Sequence, residues 1–241
     1  RSMAMPHSCW RESLMGMAKL HIRRPEGAIP LGFMESNQTP EAMALIREGW
    51  AVASIITAHL DGLRDAEVNP EESVAPYDKY IPINQQRIKR IRKSLAKSGL
   101  REDLKASLEG IRPGTKMLVL NEFWCGDGAQ ILPVHEAMVV AAEGKLEVRV
   151  LMRDAHLEVM DLFLTNGGRA IPKTVLMNDA LEVLGTWGPR PSEAMALVKR
   201  IKSDPEIAHT YSQQVHKWYT QDKQQNIQAE LAVLLGHAQG A

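Results

Sequence analysis

Cys125 is the residue of this sequence best placed to do chemistry. It follows a short apolar run, Lys116 to Phe123 (KMLVLNEF), and precedes Gly126-Asp127-Gly128 and a helical stretch that ends near Gly144. A thiol in a turn between a strand and a helix meets the free N–H groups and positive dipole end of that helix, which stabilise a thiolate. Only the thiolate is a good nucleophile, so this position points to thiol chemistry. The competing reading is a small buried hydrophobe, the state of most free cysteines. The other cysteine, Cys9, has no spacing that ties it to Cys125, and two cysteines make no disulfide framework. His135 and His156 show no paired ligand spacing, so no metal is expected. There is no GxGxxG, P-loop or GxSxG motif, and Gly167-Gly168 reads as turn chemistry rather than a phosphate cradle.

The elements around Cys125 follow from periodicity. Strand, turn and helix are succeeded by a second strand, Leu146 to Met152, then a helix over His156 to Leu164 closed by Asn166-Gly167-Gly168. Such a βαβ order implies a parallel strand pair with a right-handed crossover. Lys173 to Met177 and Leu181 to Leu184 flank Asn178-Asp179 as a hairpin, and Ser192 to Ile201 closes the unit as a helix. The fold class is therefore α/β, with a βαβαββα core.

Helical segments flank this core. Thr39, Pro40 and Glu41 suit a helix start, and Met43, Ile46, Trp50, Ala53 and Leu60 form one stripe that Gly62 would stop. Residues 65–82, with Pro70, Pro76 and Pro82, read as a connector. Ile88, Ile91 and Leu95 mark one further helical face, and Leu100, Leu104, Leu108 and Ile111 mark another. The first carries Arg87, Lys89, Arg90, Arg92, Lys93 and Lys97, which reads better as a solvated face than as a phosphate-binding one. After the core, Asp204-Pro205-Glu206 suits another helix start, with Ile207, Tyr211, Val215 and Trp218 and then Ile227, Leu231 and Leu234 as faces. The expected organisation is a tag, leader or disordered stretch over 1–33, a helical extension over 34–113, the α/β domain over 114–203 and a C-terminal helical extension over 204–241.

Composition bounds the function. With 29 Lys+Arg against 29 Asp+Glu the chain has no overall field for gathering nucleic acid or an anionic membrane surface. The longest nearly apolar stretch, Trp50 to Ala58, is far below the ~18 residues needed to span a bilayer. A cytoplasmic protein is the default expectation, and nothing in the sequence assigns an oligomeric state.

Trp124-Cys125-Gly126 after a hydrophobic strand, Pro133 beyond it and Gly168-Arg169-Ala170-Ile171-Pro172-Lys173 before the hairpin together resemble the thioredoxin family. Residues ~39 to 235 are similar more narrowly to a bacterial group of thioredoxin-like proteins, through Trp124 to Asp127, Thr165 to Lys173, Gly185 to Pro191 and Trp218 to Gln224. The resemblance implies a thioredoxin-like core with added N- and C-terminal helices. It makes Cys125 the nucleophile, Trp124, Gly126, Asp127 and Gly128 its active-site turn, and Ile171-Pro172 a cis-proline loop that holds substrate against the sulfur. The loop from Gly185 to Pro191 would lie near the cysteine, so Trp187 and Arg190, with Arg169 as a weaker candidate, either line a groove or belong to rigid turns.

Three departures from the family pattern matter. Gly128 replaces the second cysteine, Asp127 replaces the intervening proline, and Val119 stands where the family has a buried acid. The family's CxxC disulfide therefore cannot form, and resolution of a mixed disulfide would need an external thiol, Cys9 being the less favoured resolving group. The expectation is monothiol exchange at Cys125 on a protein disulfide or small thiol disulfide, with no bound cofactor and with glutathione, bacillithiol or coenzyme A as co-substrate. The alternative is a redox-inactive binding module built on the same groove. An exposed, acidic thiol is required by the first and a buried, protonated one is tolerated by the second.

Overall fold

The computed structural model describes residues 39–67 and 77–239. Cys9, the expected tag, leader or disordered stretch over 1–33, and half of the proline-rich connector lie outside the described residues.

Helix α1 (Pro40–Val52) starts as its sequence dictates, with the Ala42 amide donating to Thr39 Oγ1 at 3.2 Å. The expected single helix to Gly62 does not form. The chain turns extended at Ala53, makes a two-residue strand β1 (Ser54–Ile55), and re-enters a helix, α2 (Ile56–Asp65), that contains Gly62. Strand pairing accounts for the break, because Ser54 and Ile55 lie opposite Val150 and Arg149 of the neighbouring strand. Arg149 adds a hydrogen bond to the Trp50 carbonyl at 3.0 Å and stacks over the Trp50 ring.

Helix α3 (Ile81–Ser98) takes Pro82 into its first turn, where a missing N–H costs nothing, so Pro82 opens the helix rather than belonging to the connector. Then come α4 (Glu102–Gly110), β2 (Thr115–Asn121), α5 (Gly128–Ala141, containing Pro133), β3 (Leu146–Met152) and the short α6 (Leu157–Asp161). Strands β4 (Lys173–Met177) and β5 (Val183–Trp187) form the hairpin, followed by α7 (Ser192–Lys202), α8 (Tyr211–Asp222) and α9 (Gln225–Leu235). Strand β5 reaches Trp187 instead of closing at Leu184. Asp204-Pro205-Glu206 also behaves differently from expectation. The Asp204 carboxylate accepts from the Glu206 amide in a local turn, and the helix begins at Tyr211.

The sheet order is β1-β3-β2-β4-β5, with β2 and β3 parallel and the other neighbours antiparallel. This is the α/β fold expected from the sequence, with a fifth strand contributed by the N-terminal extension. The period-2 alternation of β2 divides its side chains between two cores. Met117 and Val119 join a cluster with α2 to α5, α8 and α9, whereas Leu118 and Leu120 join one with α1, α6 and Phe163. Gly49 lets α1 approach the sheet, since a Cβ there would lie 3.1 Å from Leu151. Both extensions therefore pack onto the faces of the sheet, and the C-terminal end of β2 delivers the Cys125 turn between them.

Candidate functional site

The turn after β2 places Cys125 at the entrance to α5, as the strand-turn-helix reading requires. Its Sγ accepts from the Gly128 amide at 3.4 Å, so a helix N–H does reach the sulfur. The thiol also faces the Ile171 carbonyl oxygen at 3.6 Å, an acceptor suited to S–H and unfavourable beside a thiolate. Cys125 is only 5% exposed. Burial above all, and then the Asp127 charge, push the thiol up to about 12 against the opposing pull of the turn amides and Arg190. Desolvation and the Asp127 charge together outweigh the pull of the helix end. Val119 is fully buried in the sheet core.

Ile171-Pro172 is a cis peptide, as the resemblance implied, and it lies against the cysteine. Gly188-Pro189 is also cis, and its loop packs on the first. Gly188 has a φ of 111°, and a Cβ there would fall 2.4 Å from the Pro172 carbonyl oxygen.

Asp127 takes the place of the family proline and is almost wholly buried. Arg190 grips it bidentately, Nε to Oδ1 at 2.9 Å and Nη2 to Oδ2 at 2.6 Å, and the Tyr219 hydroxyl donates to Oδ1 at 2.9 Å. Arg190 thus reaches the site, but its fork is spent on Asp127 rather than offered to a ligand. Burial raises the Tyr219 hydroxyl well above its usual range, and the Asp127 charge adds to it. Trp187 lies elsewhere. Its indole donates to Glu230 at 2.7 Å and the ring packs against the core beneath α9. Arg169 pairs on the exposed surface with Asp161 at 2.6 and 2.7 Å. Gly126 and Gly128 are both tightly enclosed. A Cβ at 128 would stand 2.2 Å from Asn121 Oδ1, and one at 126 would stand 2.9 Å from the His216 ring and 3.2 Å from Arg87 Nη1.

Above Cys125 opens a cleft of about 550 Å3. Tyr77, Tyr80, Trp124 and Tyr211 supply aromatic walls, and Ile171 and Arg87 border it. Tyr77 stacks on Trp124 with ring centroids 4.7 Å apart, and Arg153 lies over the same indole at 5.2 Å. Both extensions thus contribute to the site. Tyr77, Tyr211, Arg87 and His216 were not identified as site residues from the sequence. The basic run on α3 and the Trp218 to Gln224 string, which contains Tyr219, were the available signals. The α3 cations divide their work: Arg92 forms a bidentate pair with Glu136 at 2.7 and 2.5 Å, while Arg87 faces the cleft and Lys89, Lys93 and Lys97 are exposed.

The two internal histidines sit apart from this chemistry. His135 is wholly buried, with its ring nitrogens 3.3 Å from the Ile131 carbonyl oxygen and 3.2 Å from Thr174 Oγ1, and burial lowers it to about 4. Burial likewise lowers His59 to about 4. No helix among the described residues is long and apolar enough to cross a membrane.

The sequence model of the Thioredoxin_9 family, described as Thioredoxin, matches residues 71–203, more than half of the chain. The structure is similar to that of a protein of unknown function, PA1234, from Pseudomonas aeruginosa, with a TM-score of 0.57 and 17% identity over 80% of this chain and 97% of that one. It is similar also to an HIV epitope-scaffold, with a TM-score of 0.54 and 16% identity over 80% of this chain and 98% of that one. These likenesses speak for the fold alone. No curated protein matches the chain.

Proposed function

The chain belongs to the thioredoxin family, and from that membership we propose that it works as a small-molecule-binding module in which Cys125 is held as a protonated thiol. The observation that carries this reading is the state of the sulfur: buried, facing the Ile171 carbonyl, and pushed up to about 12. Such a thiol is a poor resting nucleophile. The size of the cleft, about 550 Å3, falls within the range of small-ligand pockets. Tyr77, stacked on Trp124, and Tyr211 line the same cleft, and an aromatic-walled concavity of this size suits a small ligand better than a protein disulfide.

Two measurements test the reading. In a Cys9→Ser background, iodoacetamide should alkylate Cys125 slowly, with a pH midpoint at or above ~8.5 and no adduct after exposure to low-molecular-weight disulfides. Native mass spectrometry of the full chain incubated with deproteinised cell extract should show a retained small molecule that Trp124→Ala, with an unchanged circular dichroism spectrum, no longer holds. Retention by neither protein, or equally by both, would overturn the binding reading.

A second reading is monothiol exchange, favoured by one observation: the sulfur borders the cleft directly beside the cis-proline loop. Cys125 thiolate would attack a disulfide RSSR, forming Cys125–S–S–R and releasing RS⁻. A second thiolate R′S⁻ would then attack the R sulfur, forming R′SSR and freeing Cys125. A midpoint below ~7.5 with a stoichiometric mixed disulfide would favour this reading instead.

A further inference from the structure

A second cleft, of about 400 Å3, adjoins the first and shares Ile83, Arg87 and His216 with it. Its walls carry Arg87, Arg90, Gln86, Gln130 and Thr220, and no carboxylate lines it. Among the described residues neither Arg87 nor Arg90 has an ion-pair partner, unlike Arg92 one turn along the same helix. Arg87 is fixed by a hydrogen bond to Asn84 Oδ1 at 2.8 Å, and Asn84 in turn donates to the Phe123 carbonyl just before the Cys125 turn. The guanidinium is therefore positioned beside the turn.

Gln130 is the independent sign of a ligand. It has no solvent exposure, and neither its amide oxygen nor its amide nitrogen has a hydrogen-bond partner. Buried amides are almost always paired, because an unpaired one forfeits its hydration without return. His216 Nδ1, on the same cleft, is likewise buried and unpartnered. Two cations outside any close ion pair, of which Arg87 alone feels the more distant Asp127 charge, border one concavity with two unsatisfied polar groups in its wall, which is the complement of an oxygen-rich anion.

We infer that this second cleft is an oxyanion subsite, in which Arg87 and Arg90 hold the carboxylate or phosphate of a small ligand whose body lies over Trp124 and Cys125, the unpaired Gln130 amide turning out from the wall to join them. The inference rests on the binding reading given above, and it assigns that ligand a charge. His216 is neutral here, lowered to about 4 by burial and by Arg87, Arg190 and Arg90, so its ring contributes a hydrogen-bonding nitrogen rather than a third charge. The single Gly126 between Cys125 and Asp127 is required by the same arrangement, because a side chain there would strike His216 and Arg87.

Isothermal titration calorimetry of the full chain at low salt tests the subsite, with citrate as the carboxylate probe and pyrophosphate as the phosphate probe. At least one should bind the parent protein, and the tighter of the two identifies the source of the oxyanion. Arg90→Gln, a change at an exposed and therefore fold-neutral position, should weaken binding about tenfold, the order expected for loss of one charge-assisted contact. Lys97→Gln, at the far end of the same helix, should leave it unchanged. No binding of either probe, or equal weakening by Arg90→Gln and Lys97→Gln, overturns the inference. Failure of the binding reading shows separately, as fast alkylation of Cys125 with a low pH midpoint, and is independent of either calorimetric result.

Discussion

The side-chain oxygen of Asn121 fills the space that any side chain at Gly128 would need, 2.2 Å from where its Cβ would stand. The position of the missing second cysteine is thus closed from the end of β2, four residues before Cys125, and the departure from the family's CxxC turn is built into the packing. Gly128→Cys should not create a dithiol site. It should destabilise the protein by about 2 kcal/mol, as overpacking of a filled interior does, and non-reducing mass analysis should find no disulfide between Cys125 and the introduced thiol. Asn121→Ala combined with Gly128→Cys should recover stability and admit the disulfide. Equal disulfide yield from the single and double variants would contradict this.

Asp127 governs both a charge pair and the thiol. Asp127→Asn leaves the Arg190 guanidinium without its counter-charge, and breaking such a pair in a largely buried setting costs on the order of 3 kcal/mol. Urea unfolding should register that loss, and Asp127→Asn with Arg190→Met should recover most of it. In the single variant the pH midpoint of Cys125 alkylation should move down, because a negative neighbour of the thiolate has been removed and a positive one freed. An unmoved midpoint would show that burial alone sets the thiol.

Buried neutral histidines make stability depend on pH with a definite sign. His59 and His135 are lowered to about 4 in the folded state, so between the ordinary histidine value near 6.5 and about 4 the unfolded chain binds protons that the folded one refuses. Their contribution is complete above that ordinary value and is lost as pH falls through the window, by about 3 kcal/mol for each group. Denaturant midpoints measured from pH 7 to 4 should fall accordingly. His135→Gln, which retains a partner for Thr174, should flatten the profile.

The loop from Gly188 to Pro191 buttresses the cis-proline loop through Gly188. Gly188→Ala places a methyl against the Pro172 carbonyl oxygen and demands a φ of 111° from a residue with a Cβ, so a loss of about 2 kcal/mol or more is expected. The Ile171 carbonyl beside Cys125 should move with it, read as a change in Cys125 alkylation rate that Trp187→Phe, away from the cleft, does not produce.

What the sequence revealed was local. The strand, turn and helix around Cys125, the Ile171-Pro172 loop and the hairpin each lie within a short string whose periodicity or turn residues carry the information. The site's electrostatics were not legible in that way. Asp127 meets Arg190 and Tyr219 across 63 and 92 positions, and no local pattern links them. The basic face of α3 was visible as a composition, yet only the fold separates Arg92, bound to Glu136, from Arg87 and Arg90 at the second cleft. Burial of Cys125 was hidden for a similar reason: it depends on what both extensions lay across the turn. Strand β1 escaped notice because two residues carry no period.

That two-residue strand has a consequence for handling the protein. Ser54 and Ile55 pair with Val150 and Arg149 in the middle of β3, which would otherwise be an open edge from Leu146 to Met152. A long bare edge invites another chain to add to the sheet, whereas a very short one offers almost no template. The family-matched region cut away from α1, β1 and α2 would therefore carry a sticky margin and tend to self-associate, while the full chain keeps the middle of that margin blunted by its own first strand.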